Sequence, residues 1–327
     1  MKTEAEMDLF AAFLALPEAE STSNLTAVAL SKQRHDFLAK TNDGSPVFLL
    51  HDASLAAYSP AIELKNVSVI FHSTCRVTTL GGSLDGQFAV ITCGTSVPEL
   101  YEVFIRCFSA SVEQLPVAST TEDLQRCIHN LLELFCSLGS VSAQETIGLW
   151  AELYLISRCS NPAQAVRAWH KDSFERFDFS WPDGCLEVKA TTKEQRVHEF
   201  ALEQLHPPIS GDGFVASVLL QPMNGGVGVI DLANVIERRL ATMPELRQKL
   251  WENVTSALGS DFSSRLDRRF DPSYADRGLT IYAMSDIPAP EHPKDPRVTG
   301  IHFRADLSAV QTSLAGGLGD LLDSLFG

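Results

Sequence analysis

The sequence predicts a mixed α/β (α+β) protein that is built from more than one domain. Its 327 residues are enough for two or three domains that each bury a core of their own. β-Branched runs followed by two helical patterns predict an N-terminal antiparallel sheet with helices over residues 1–140. A helical pattern, a hairpin and an almost wholly apolar strand predict an α/β segment over 141–222, and a C-terminal α/β extension follows over 223–327.

In the N-terminal domain, three apolar and β-branched runs are predicted strands, at 47–53, 61–78 and 86–94. Helices are predicted for 96–115, with Ser96 as its cap and Pro98 in its first turn, and for 119–139. The domain contains no cluster of residue types that perform chemistry. We therefore expect it to serve in recognition or assembly.

The remaining helices and strands are predicted from the spacing of apolar residues and from the glycines and prolines that mark their ends. In the centre, helices are predicted at 140–159 and 161–170, a strand end and a helical turn at 196–206, and a buried strand at 213–222. Further on, helices are predicted at 231–243, capped by Asp231, and at 244–259, with strands at 278–288 and 298–308. The glycine-rich end, 314–327, is predicted to be a tail or a small helix that docks on a partner.

Composition limits where the protein works. Hydrophobic residues make up 45% of the chain and charged residues 20%, as in soluble globular proteins. No window approaches the run of about eighteen apolar residues that a membrane span needs, so we expect no membrane partner. Seven cysteines without a CxxC pair predict free thiols in a reducing cytoplasm.

The formal net charge of -15 restricts how the chain can bind nucleic acid. A protein that simply coats DNA carries a basic surplus that neutralises phosphates. Binding to nucleic acid by this chain would therefore need a local basic groove, a metal ion or a partner protein.

A predicted hairpin in the centre of the chain carries a cluster of charges. In the stretch RFDFSWPDGCLEVKATT, the segment WPDG has proline, aspartate and glycine at the positions where turns favour them. A two-residue loop at Pro182 and Asp183 places Asp178 opposite Glu187, and a glycine bulge would shift this pairing by about one residue. Like charges across a strand pair are destabilising without a cation, and two close carboxylates are suitable ligands for Mg2+.

Lys189 lies on the same strand face as Glu187, because strand side chains alternate. A lysine beside such a metal site can orient a water molecule or hold a phosphate. The alternative interpretation is a solvated hairpin face with a cross-strand salt bridge. Apolar residues alternate with the charged ones, which favours a charged side that faces a cleft within the fold.

Asp178, eight intervening residues and then Glu187-Val188-Lys189 resemble the D…(D/E)xK signature of the PD-(D/E)XK nuclease superfamily. The flanking stretches GLWAEL, LEVKATT and RVHEFALEQL, together with Trp169, are similar to a set of bacterial PD-(D/E)XK proteins encoded in restriction and phage-defence gene clusters. The motif region covers 148–205, and the order of elements on both sides also fits. Phe177 stands where the signature has its proline, a position that varies within the superfamily.

The resemblance implies a restriction-endonuclease-like α-β-β-β-α-β core with a mixed sheet, and it implies roles for individual residues. Asp178 and Glu187 would ligate Mg2+, with Mn2+ as a substitute, and Lys189 would position the attacking water. Glu152 in GLWAEL matches an acidic residue that completes the metal site, with Glu145 as the runner-up for this role. The polar edge of an amphipathic helix is the alternative interpretation of Glu152.

Four further residues are weaker candidates. Gln204 matches a helical polar residue near the site, and His198, Lys193 and Arg196 are expected to line a groove. For Gln204 and His198, a satisfied core polar group or a surface side chain remains an equal alternative. The basic cluster RLDRRF at 265–270 can meet phosphates, although acidic residues balance it in the surrounding stretch.

The function that the resemblance implies is a Mg2+-dependent endonuclease. Its substrate would be double-stranded DNA, and its setting a cytoplasmic bacterial restriction or anti-phage system with other subunits as partners and a homodimer as an option. The first alternative is a non-catalytic nuclease-fold module for DNA binding or complex assembly. The second is a hydrolase with a Cys or Ser nucleophile; Cys185 is the thiol nearest the site, but no histidine base is close to it in sequence.

Overall fold

A computed structural model of the chain describes residues 8–19, 24–31, 33–55, 59–63, 67–94, 100–136, 143–170, 176–207, 211–258, 268–291, 295, 297 and 300–311. The chain divides into two compact units, Met1–Gly139 and Ser140–Gly327. Residues on both sides of the predicted boundary at 222 lie in the second unit. No helix in the described part of the chain is long and apolar enough to cross a membrane.

The first unit is built on a six-stranded sheet with helices. Its strands are β1 (Asn24–Ala29), β2 (Phe37–Lys40), β3 (Pro46–His51), β4 (Ile62–Glu63), β5 (Val67–Thr79) and β6 (Gly82–Cys93). They lie in the order β1-β2-β3-β6-β5-β4 with antiparallel neighbours, and a parallel pairing of β1 with β5 closes the sheet on itself. The helices are α1 (Leu9–Leu14), α2 (Leu100–Val112) and α3 (Thr121–Cys136).

Alternating apolar residues build the core of this unit. Leu25, Phe37, Leu49 and Phe88 belong to one buried cluster, although they come from four different strands. The strands predicted at 47–53, 61–78 and 86–94 correspond to β3, to β4 with β5, and to β6. Neither the first two strands nor the parallel pairing was predicted, because short strands that pair with distant segments leave little local signal.

The second unit contains a mixed four-stranded sheet. Its strands are β7 (Phe179–Trp181), β8 (Gly184–Thr191), β10 (Asp212–Leu219) and β12 (Leu279–Ala283), in the order β12-β10-β8-β7. The two central strands, β8 and β10, are parallel, and each outer strand is antiparallel to its neighbour. Both central strands are largely buried; β10 is mostly apolar, whereas β8 carries the charged residues Glu187 and Lys189 among its buried apolar ones.

Helices and shorter strands complete this unit. The helices are α4 (Ala143–Arg158), α5 (Pro162–Ala168), α6 (Val229–Arg239), α7 (Pro244–Leu258) and α8 (Pro272–Gly278), with β11 (Pro222–Val227) before α6. Helix α4 packs against β8 and α6, and its Trp150 indole donates a hydrogen bond to the Val227 carbonyl at 2.8 Å.

Asp231 is not the cap residue predicted for α6. Gly228 holds that position, and Asp231 accepts a hydrogen bond from the Gly228 N–H at 2.9 Å.

The region after β8 differs from the implied core order. Strand β9 (Val197–Ala201) pairs with β13 (His302–Asp306) in a separate two-stranded sheet, and the next segment is one 3-10 turn, Leu202–Leu205. Exposed Val197 and Glu199 alternate with buried His198 and Phe200, so one face of β9 is covered while the other meets solvent. The tail predicted at 314–327 lies outside the described residues.

Candidate metal centre

The predicted hairpin has the predicted register. Phe179 faces Leu186, Ser180 faces Cys185, and Trp181 faces Gly184 across β7 and β8. A side chain at residue 184 is excluded, because its Cβ would lie 2.7 Å from the indole ring of Trp181. The turn residues therefore set the pairing from which the charged side chains extend.

Three carboxylates from three elements meet at this hairpin. Glu152 comes from α4, Asp178 from the bend that precedes β7, and Glu187 from the middle of β8. Asp178 lies just outside the paired residues of β7, and its Oδ2 accepts a hydrogen bond from the N–H of Val188 at 2.6 Å. This bond ties the first carboxylate of the signature to the strand that carries the second.

Burial and mutual repulsion make these carboxylates hard to ionise together. Glu187 is only 3% exposed, and burial together with the neighbouring Asp178 raises its pKa to about 8. Burial, Asp178 and Glu187 raise the pKa of Glu152 well above its usual value. Burial also raises the pKa of Asp178, partly opposed by the Val188 N–H, His170 and Lys189. A divalent cation bound between these carboxylates would favour their ionised forms.

Lys189 and Gln204 surround one oxygen of Glu187. The ammonium of Lys189 lies 2.8 Å from Glu187 Oε1 and 3.2 Å from Gln204 Oε1, above the ring of Phe200. Gln204 Nε2 donates to the same Glu187 oxygen at 2.5 Å, and Gln204 Oε1 also accepts from the Ala201 N–H at 3.0 Å. Gln204 therefore bridges the carboxylate and the lysine. The other oxygen, Glu187 Oε2, is buried and has no hydrogen-bond partner.

The structure adds two neighbouring residues, Trp169 and His170, at the end of α5. The indole Nε1 of Trp169 donates to Glu152 Oε2 at 2.7 Å. One ring nitrogen of His170 and one oxygen each from Glu152 and Asp178 all lie within 4.8 Å of one another. Sequence reasoning missed His170, because none of the histidines shows metal-ligand spacing. The signal that could have located it is its position directly after Trp169, which the resemblance had marked.

The three predicted groove residues have different surroundings. His198 is buried, its Nε2 lies 2.8 Å from Ser217 Oγ, and burial together with Lys189 lowers its pKa to about 4. The Arg196 guanidinium donates to the carbonyl and hydroxyl of Ser217, each at 2.9 Å, and to the Gly278 carbonyl at 2.6 Å. Lys193 is exposed. The structure thus places His198 and Arg196 within internal hydrogen-bond networks and leaves Lys193 at the surface.

An open cleft of about 810 Å³ lies beyond the end of β8. It is lined by Ile147 of α4, Thr192, residues 222–225 and residues 268–270. Two of the lining residues, Arg268 and Arg269, belong to the basic cluster noted in the sequence. Arg269 donates to the Gly226 carbonyl at 2.7 Å and to Asp231 Oδ2 at 2.8 Å, so part of its charge is balanced.

The donor set fits a divalent cation. Glu152 and Asp178 supply carboxylate oxygens to the cluster that includes His170, and Glu187 is a third carboxylate near them; Mg2+ and Mn2+ take such oxygens as ligands in proteins. The buried Glu187 Oε2 without a hydrogen-bond partner is the kind of atom that a bound ion would satisfy. The positive charge of a bound ion would offset the repulsion among these carboxylates and favour their deprotonated forms.

A family model described as "Putative PD-(D/E)XK family member, (DUF4420)" matches residues 13–307. The chain belongs to this family. The match spans most of the chain and confirms the resemblance to the PD-(D/E)XK superfamily. Comparison with curated proteins gives no match, and neither does comparison with solved structures.

Proposed function

We propose that the protein is a divalent-metal-dependent nuclease that hydrolyses phosphodiester bonds, with Glu152, Asp178 and Glu187 as metal ligands and Lys189 as the residue that positions the attacking water. The observation that carries this proposal is the meeting of three carboxylates of raised pKa with one lysine, together with a buried Glu187 oxygen that has no hydrogen-bond partner. Helix α4 with β7, β8 and β10 would then be the nuclease core. Membership of a PD-(D/E)XK family supports it.

The side chains of this chain would divide the work as follows. When bound, Mg2+ or Mn2+ would activate a water molecule and offset the charge that develops on the phosphate. Lys189 holds an ammonium beside Glu187, where it can orient that water or contact a phosphate oxygen. Gln204 fixes the relative positions of Lys189 and Glu187 through its two amide contacts. Trp169 fixes the carboxylate of Glu152 in the same way.

The substrate that we propose is double-stranded DNA, and the setting is a cytoplasmic bacterial restriction or anti-phage system. The similarity of the motif flanks to proteins of defence gene clusters supports this setting. The cleft with Arg268 and Arg269, together with the exposed Lys193, is the local basic surface that a chain of net charge -15 would need. Partner subunits would supply further affinity, and the first unit would serve recognition or assembly.

The test is cleavage of supercoiled plasmid with Mg2+ or Mn2+ by wild type, by Lys189→Ala and by Lys249→Ala. The Lys249 ammonium donates to the Arg167 carbonyl at 2.9 Å, so its removal controls for the loss of a lysine from the same unit. We expect nicking by wild type and Lys249→Ala, and a loss on the order of a hundredfold or more in Lys189→Ala. Single-stranded DNA and RNA in parallel reactions identify the substrate class.

Because a partner can be needed for cleavage, calorimetric titration of the metal-free protein with Mg2+ and Mn2+ supplies a second readout. Asp178→Asn is the suitable variant, since asparagine keeps an acceptor for the Val188 N–H while removing the charge. Binding that survives in Asp178→Asn, or equal nicking by wild type and Lys189→Ala, would refute the proposal. Metal binding without cleavage of any substrate would instead favour the non-catalytic module.

A further inference from the structure

His170 is placed like a metal ligand, although neither the signature nor the sequence spacing marks it. A ring nitrogen of His170 lies within 4.8 Å of carboxylate oxygens of both Glu152 and Asp178. Its Nδ1 lies 3.1 Å from the Asp178 carbonyl oxygen and 4.0 Å from Asp178 Oδ1, and the imidazole is 26% exposed to solvent. An imidazole beside these carboxylates would change the donor atoms of the centre from oxygen alone to a mixture of nitrogen and oxygen.

Main-chain contacts and a ring contact, Nδ1 to the Asp178 carbonyl oxygen at 3.1 Å, hold His170 in this position. The N–H of His170 donates to the Asp178 carbonyl at 2.8 Å, and the His170 carbonyl accepts from Asn253 Nδ2 at 2.5 Å. The preceding residue, Trp169, forms a β-bridge with Phe179. The dipeptide is therefore anchored to the hairpin through Trp169 and the His170 N–H, and to α7 through the His170 carbonyl. The ring is held at the site before any ion binds.

Two independent observations indicate that this cluster is a ligand site rather than a group of unrelated polar residues. The Glu187 side chain is 4% exposed, and its Oε2 has no hydrogen-bond partner. Trp169 donates its indole N–H to Glu152, which is the way outer groups orient a metal-binding carboxylate. The neighbouring residues Trp169 and His170 thus contribute one orienting group and one potential ligand to the same place.

We propose that His170 is a nitrogen ligand of this centre, and that it shifts the ion preference from Mg2+ towards Mn2+ and Co2+. This inference rests on the proposed metal-dependent function and adds the identity of the ion to it. Mg2+ binds oxygen ligands and retains water, whereas first-row transition ions accept imidazole readily. An all-carboxylate centre would also favour Mn2+ and Co2+ over Mg2+, but by less, so the additional preference should depend on the His170 side chain.

The experiment uses the full chain, freed of metal with EDTA. Calorimetry gives the Kd values for Mg2+, Mn2+ and Co2+ in wild type, His170→Gln and His302→Gln, where His302 is an exposed histidine of the same unit. Pulsed electron paramagnetic resonance of the bound Mn2+ detects coupling to a ligand nitrogen directly. Wild type labelled with 15N-histidine shows whether that nitrogen belongs to a histidine, without any substitution that affects folding.

We expect wild type and His302→Gln to bind Mn2+ and Co2+ more tightly than Mg2+, with a nitrogen coupling that changes on 15N-histidine labelling. In His170→Gln the coupling should vanish, and the affinity for Mn2+ and Co2+ should fall by about tenfold or more, with a smaller change for Mg2+. A nitrogen coupling that persists in His170→Gln, or equal losses for all three ions, would overturn the inference and leave the nuclease proposal standing. Failure of wild type to bind any of the ions would overturn both.

Discussion

Replacement of Glu187 by glutamine should stabilise the metal-free second unit, and increasingly so as the pH rises. Glu187 is buried beside Asp178, and its pKa is raised to about 8. The folded chain therefore retains a proton that the unfolded chain releases, so stability falls between about pH 4.5 and pH 8. Glutamine does not titrate, so the variant lacks this contribution.

The size of the effect follows from the two pKa values of Glu187. The usual value is 4.5 and the value in the folded unit is about 8. One pKa unit corresponds to about 1.4 kcal/mol, so the cost of folding this carboxyl group is roughly 1 kcal/mol at pH 5 and roughly 3 kcal/mol at pH 7. Relative to wild type, Glu187→Gln should gain about 2 kcal/mol of unfolding free energy between these two pH values.

Urea unfolding in EDTA, followed by tryptophan fluorescence, is the suitable assay. All four tryptophans, Trp150, Trp169, Trp181 and Trp251, lie in the second unit, so the signal reports the unit that carries the site. Glu199→Gln removes an exposed carboxylate from neighbouring β9 and serves as the control. If the unfolding free energies of wild type and Glu187→Gln changed in parallel with pH, the pKa of Glu187 would not be raised in the folded unit. Saturating Mn2+ should reverse the order of stability, because only wild type keeps all its ligands.

Four further substitutions test other residues at and around the site. Trp169→Phe keeps an aromatic ring but removes the donor to Glu152, so calorimetry should show Mn2+ affinity reduced by about tenfold; unchanged affinity would contradict an orienting role. Cys185→Ala should leave cleavage intact, and iodoacetamide should not label native Cys185, because the thiol is buried and its pKa is raised to about 11. Arg196→Ala should lower the unfolding free energy of the second unit by about 2 kcal/mol or more, because its guanidinium donates hydrogen bonds to internal acceptors. Lys193→Ala should instead weaken DNA binding in a gel-shift assay, with little effect on urea unfolding. The opposite pattern for these two residues would exchange their assigned roles.

Local signals made the hairpin predictable. Pro182, Asp183 and Gly184 define a short turn, and strand alternation then orients the side chains of Glu187 and Lys189. Each of these inferences uses residues only a few positions apart. The register and the cluster of charges on this hairpin could therefore be derived from the sequence.

Contacts between distant segments could not be derived in this way. His170 reaches the site because residue 169 bridges to Phe179, and no spacing rule records that bridge. Arg196 was expected in a groove, but its partners Ser217 and Gly278 come from segments far along the chain. A polar residue looks the same in the sequence whether its side chain faces solvent or bonds to a buried acceptor. Only the folded structure shows which of these two environments it has.

The pairing of β9 with β13 makes the second unit hard to divide. Strand β9 and the turn after it carry Phe200 and Gln204, which surround Lys189. In the described part of the chain, β13 is the strand that pairs with β9, and it begins at His302. The Leu202 N–H also bonds to the Ile301 carbonyl at 2.8 Å. A protein truncated near residue 222 would keep Asp178, Glu187 and Lys189 but lose the strand that pairs with β9. Truncation before residue 302 should therefore abolish the proposed cleavage activity, although every signature residue is retained.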